Sequence, residues 1–154
     1  MLPSVDSVGL PYDGAGFLSP KGRLGIWTPS PTLLIVQMSG HGDKAFSGPI
    51  IEAFERLLKN AEQLFVFFDL QGMPTYDSEL RTSLTSRFFD DRARFADFHV
   101  LSSSKLTAMG VSVANLALGG IITSHLERAP FSIVLDAALG KQRVTGFSSK
   151  TLIA

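Results

Sequence analysis

Hydrophobic and polar positions along this chain alternate between the period of a strand and that of a helix. The run Leu64-Phe65-Val66-Phe67-Phe68-Asp69-Leu70 is apolar at both parities up to one acidic residue, the pattern of a strand covered on both faces. Gln71-Gly72-Met73-Pro74-Thr75 then reads as a loop, and helical spacing follows, with Leu80, Leu84 and Phe88 recurring every four residues. Asp77 stands where a helix needs an acceptor for its first free amides, so it is predicted to be the N-cap. The outer face of this helix carries Arg81, Arg87, Asp90 and Asp91, with Arg92 and Arg94 just beyond, and reads as solvated.

The alternation extends on either side of this segment. Arg23 to Thr28 and Thr32 to Met38 read as strands joined in a hairpin through Pro29-Ser30-Pro31. Ser39-Gly40-His41-Gly42-Asp43 reads as a turn, and Pro49 opens a helix burying Ile50, Ile51, Phe54, Leu57 and Leu58. Phe98 to Leu101 is a short strand. Ser102-Ser103-Ser104 offers caps for a helix from Leu106 to about Leu118, which Gly119-Gly120 stops. Ile121 to Leu126 is the last strand, and Ala129-Pro130 opens a helix burying Phe131, Val134, Leu135 and Ala138. The order predicts an α/β fold spanning residues 22–139: a mixed sheet of about five strands with crossover helices and the 64–70 strand at its centre. Residues 1–21, rich in Pro, Gly and Ser, read as a flexible arm. Residues 140–154 read as a tail, in which Thr151-Leu152-Ile153 adds an edge strand or frays.

Composition narrows the chemistry. The chain has 154 residues, about one domain, and no cysteine, which removes thiolate nucleophiles, cysteine zinc sites and disulfides and fits a reducing cytoplasm. A formal net charge of 0 argues against nucleic acid as a partner. Charged residues are 18% of the chain against 45% hydrophobic, with 12 Phe, so little repulsion separates copies and a homo-oligomer is expected. The start lacks the basic and apolar pattern of a secretory signal. Leu106 to Ile122, the most apolar long stretch, is too interrupted for a membrane span.

Candidate reactive groups are sparse. His41, His99 and His125 fall in a turn and two different strands without ligand spacing, so no metal is expected. There is no Gly-x-Ser-x-Gly elbow, and Lys44 near Gly40 and Gly42 lacks P-loop spacing. Asn115, on an otherwise apolar helix face, is expected to bond a neighbouring loop, and Gly110, Ser112, Ala114 and Ala117 permit close approach of another helix or subunit. Asp69 reads as loop support at the end of its strand. No acid, base and nucleophile converge, so the chain is read as a non-enzyme without cofactor.

One stretch carries a family likeness. Asp69-Leu70-Gln71-Gly72-Met73-Pro74-Thr75-Tyr76-Asp77-Ser78-Glu79-Leu80 resembles the signature of STAS domains, named for sulfate transporters and anti-sigma factor antagonists: Asp-Leu-Ser-Gly, then Asp-Ser-Ser-Gly-Leu opening a helix. Met38-Ser39-Gly40 resembles that family's turn into its first helix. The likeness implies a regulatory module binding a protein partner through Tyr76, Asp77, Ser78, Glu79 and Arg81. It also implies a switch serine at the position held here by Glu79, so a fixed charge stands where relatives add phosphate; in this the chain is more similar to the divergent bacterial STAS-like proteins. The alternative reading is a small-ligand or lipid-binding carrier, which the Phe-rich composition permits.

Overall fold

A computed structural model describes residues 5–141. Strands β1 (Asp6–Leu10), β2 (Gly14–Leu18), β3 (Gly22–Ser30), β4 (Leu33–Gly42), β5 (Leu64–Tyr76), β6 (Phe95–Ser102) and β7 (Ile122–His125) lie side by side in chain order in one sheet. Pairing is antiparallel from β1 to β4 and parallel from β4 to β7. Helices α1 (Ser47–Leu58), α2 (Ser78–Asp90) and α3 (Lys105–Ala117) make the parallel crossovers, and α4 (Arg128–Lys141) follows β7.

Among the described residues the fold is α/β with a mixed sheet and four helices, but with seven strands rather than about five. The two additional strands lie within residues 1–21, so the described part of the expected arm belongs to the sheet. They escape periodicity because they are short, glycine-bearing and mostly unburied. Their turn is a mirror-image one, with Tyr12 and Asp13 both at φ 59, the handedness that matches hairpin twist. Trp27 Nε1 donates to Pro11 O at 2.8 Å and pins that turn to the sheet. A Cβ on Gly14 or Gly25 would strike the Trp27 ring, at 2.2 and 2.6 Å, so the indole occupies the space that glycine leaves free. The Thr151-Leu152-Ile153 edge strand lies outside the described residues.

Strand β5 is also longer than its apolar run. It continues through Gly72 and Pro74 to Tyr76, pairing Ser39 with Gly72, His41 with Thr75 and Gly42 with Tyr76 across two register shifts. The segments expected as a loop after 70 and a turn after 38 are thus partners of one another. Glycine and proline there mark irregular pairing rather than its end. Beyond Ser102 there is no β6 to take β5's other edge, and hydroxyls at the start of α3 replace it. Ser103 Oγ donates to Gln71 O, Ser104 Oγ to Pro74 O and Thr107 Oγ1 to Met73 O, at 2.8, 3.2 and 2.6 Å.

Alternation along β5 sorts the core into two layers. Leu64, Val66, Phe68 and Leu70 face α1, α2 and α3, where Phe54, Phe88, Phe95 and Phe98 form a continuous set of tilted, stacked and edge-on rings. Phe67 faces α4 with Trp27, Ile35, Leu101, Phe131 and Leu135. Asp69 shares that parity. The boundaries of α3 follow the expected signals: Ser104 Oγ accepts from Thr107 N at 3.0 Å at its start, and Gly119 and Gly120 beyond its end take φ of 80 and 86. Asn115 holds the following turn by exchanging two bonds with the Ile122 backbone, at 3.1 and 2.7 Å.

Candidate interaction surface and ionic cleft

The chain reverses from β5 into α2 around the residues singled out by sequence, and the structure redistributes their roles. Asp77 occupies the N-cap position with extended geometry, φ −73 and ψ 132, but its carboxylate caps no amide of α2. It accepts instead from His41 Nε2 at 2.9 Å and from Lys44 N at 2.8 Å, tying the end of β4 to the start of α2. These two bonds, the histidine's first, lower the Asp77 pKa from its ordinary value, because both favour the ionised carboxylate. His41 Nδ1 is engaged with Thr75 Oγ1 at 2.8 Å. The expected cap is therefore an anchor between segments 33 or more residues apart in sequence.

Tyr76 is half-buried, and Arg81 covers it, with Nη1 donating to the phenolic oxygen at 2.9 Å. Gly110 of α3 lies against the same hydroxyl, where a Cβ would come within 2.1 Å. Tyr76 is thus a joint between β5, α2 and α3. Ser78 and Glu79 project into solvent from the first turn of α2, and the ionic partner of Glu79 among the described residues is Lys44 Nζ, at 4.0 Å. A pair that open is worth little. Of the five expected partner-binding residues, Ser78 and Glu79 are presented outward, while Tyr76, Asp77 and Arg81 brace the turn that presents them.

Next to this turn lies an apolar row that sequence reading did not single out. Leu106, Met109, Val113 and Leu116 are 51, 67, 54 and 85% exposed and follow one face of α3 at spacings of three, four and three. Gly110, Val111 and Leu118 are buried on the opposite side. The signal was present as apolar positions around more of the helix than one stripe requires. A shallow groove of about 480 Å³, lined by Arg81, Phe89, Val113 and Ala114, connects this row to α2.

A second polar centre lies on the α4 side of the sheet. Asp69 is 1% exposed, and its carboxylate accepts from Arg128 Nη2 at 2.8 Å, from Gln71 N at 3.2 Å and from Gln37 Nε2 at 3.5 Å. Arg128 Nε and Nη2 also donate to Gln71 Oε1, while its buried Nη1 has no acceptor among the described residues. Asp69 was expected to support a loop; Gln71, whose backbone N donates to it, belongs instead to strand β5, and the bond is part of a larger network closed by the first residue of α4. A cleft of about 320 Å³ opens beside it, bounded by Val8, Leu10, Arg23, Trp27 and Gln37. Deeper under α4, His99 Nδ1 and His125 Nε2 meet at 2.9 Å, with His99 stacked on Phe67. Burial lowers both imidazole pKa values, and for His99 the neighbouring His125 charge adds to it. Arg128 and the histidine pair were invisible to sequence reading because their partners are 59 and 26 residues away.

Among the described residues, no three His, Cys, Asp or Glu side chains gather as metal ligands, and no helix is long and apolar enough to cross a membrane. No family model and no curated protein matches the chain.

Proposed function

We propose that this chain is a non-catalytic regulatory module of the STAS-like kind, working in a bacterial cytoplasm, that captures a protein partner over the first turn of α2 and the outer face of α3. The observation that supports this reading is the exposed row Leu106, Met109, Val113 and Leu116, which borders through Val113 a groove against α2, the helix whose first turn presents Ser78 and Glu79. Single exposed apolar residues are ordinary, but an aligned set of four on one helix leaves a face that water covers poorly. Its occupant is an apolar helix ridge, because 3-4-3 spacing offers holes for side chains of the same repeat. Glu79 adds a permanent negative charge at the amino end of α2, where a phosphorylated serine would supply a reversible one.

Low charge on α3, where Lys105 is the single ionised residue, also admits a second copy of the chain, and homo-oligomerisation is part of the proposal. The test compares wild type, Met109→Lys and Glu79→Ser at matched melting temperature, by sedimentation and by pull-down from native lysate. Loss of a captured protein in both variants supports the partner surface. A wild-type dimer that Met109→Lys converts to monomer supports the self-association part. Identical partner sets and identical mass in all three proteins would remove this surface from consideration.

A further inference from the structure

We infer that the cleft beside Asp69 binds a small organic monoanion, a carboxylate on a short apolar body. The charges lining it are Arg23, Arg128 and Asp69. Asp69 balances Arg128, whereas Arg23 is exposed and forms no ion pair among the described residues, so the lining keeps one uncompensated positive charge. A monoanion neutralises that charge, and a phosphate dianion would overshoot it. The guanidinium fork matches the planar, two-oxygen geometry of a carboxylate better than that of a compact ion.

The polar groups are also held in place before any ligand arrives. Arg128 is fixed by Asp69 and Gln71, so its charge stands at one edge of the cleft without further ordering. The Gln37, Ser39 and Gln71 side chains supply donors that set orientation. Val8, Leu10 and Leu18 from the amino-terminal hairpin form an apolar wall opposite the ionic centre. A volume of about 320 Å³ is at the small end of ligand sites, enough for a few carbons and too little for a lipid chain. The site is separate from the α2–α3 surface, so its fate does not depend on partner capture there.

The experiment titrates the full chain with hexanoate, hexanamide and inorganic phosphate, read by fluorescence of Trp27, the single tryptophan, and by calorimetry. Hexanoate is expected to saturate, with hexanamide and phosphate each at least tenfold weaker. Arg23→Gln is the chosen variant because its side chain is exposed and outside the Asp69 network. It should weaken hexanoate about tenfold at unchanged melting temperature, about the 1.4 kcal/mol of one charge-assisted contact. Equal binding of hexanamide, preference for phosphate, no saturation by about ten millimolar, or indifference to Arg23→Gln would each overturn the assignment.

Discussion

The two faces of this sheet are built from opposite materials. Under α1, α2 and α3 the core is aliphatic and aromatic, with Phe54, Phe68, Phe88, Phe95 and Phe98 in mutual ring contact. Under α4 the apolar contacts of Phe67, Phe131 and Leu135 are interrupted by an ion pair and an imidazole pair. Apolar packing is non-directional and tolerates small shifts, whereas buried ionic and hydrogen-bonded groups demand a partner at one distance and angle. The first face therefore supplies cohesion, and the second fixes where α4 sits and responds to solution conditions.

The largest effect that would test this division is Phe88→Ala, expected to cost about 3–5 kcal/mol by denaturant titration, because the ring leaves a void among four others. A loss below about 1 kcal/mol would show that this layer is loosely packed. Arg128→Met should cost about 2–3 kcal/mol, below the full penalty of a broken buried pair because the arginine side chain is 27% exposed. Replacing both partners, as Asp69→Leu with Arg128→Met, should recover most of that loss, since an apolar pair leaves no orphaned charge. If the double variant is as unstable as the single one, the network contributes more than its ion pair.

The pH response is smaller and specific to the α4 face. Both His99 and His125 have folded pKa values below their ordinary 6.5, so their contribution is fully present above about 6.5 and is lost as pH falls toward the folded values. At least one facing nitrogen must keep a lone pair for the 2.9 Å contact to hold. Melting temperature should therefore drop between pH 7.5 and 5.5, and His99→Phe should flatten the profile. Asp77, lowered from 3.8, acts in a separate window: its contribution is present above 3.8 and lost as pH falls below it. Glu79→Ser should be the mildest change, under about 0.5 kcal/mol, because the side chain is 71% exposed.

How much of this was legible in the sequence follows from the range of each interaction. The apolar run from Leu64 and the four-residue spacing of Leu80, Leu84 and Phe88 report local periodicity, and both became the elements they predicted. The hairpin of β1 and β2 was missed because its stability comes from Trp27 and from mirror-image turn geometry rather than from alternation. At Asp77 the local rule placed the residue correctly at the head of the helix and assigned its carboxylate wrongly, since His41 and Lys44 compete for it from another strand end. The Asp69–Arg128 and His99–His125 pairs depend on which strands become neighbours and on α4 crossing to the other face. No local pattern encodes either.

The strand order has a consequence for how the molecule comes into being. Because each strand joins the one made just before it, the sheet can grow from one side as the chain emerges, closing only hairpins and single-helix crossovers. The exception is α4, the last described element to be synthesised, whose side of the sheet stays bare meanwhile. Until Arg128 arrives, Asp69 stays hydrated beside an uncovered Phe67 and Leu101. A nascent chain paused before residue 128 would be the species most in need of a chaperone. Its solubility during that pause would rest on the same carboxylate that later holds α4 in place.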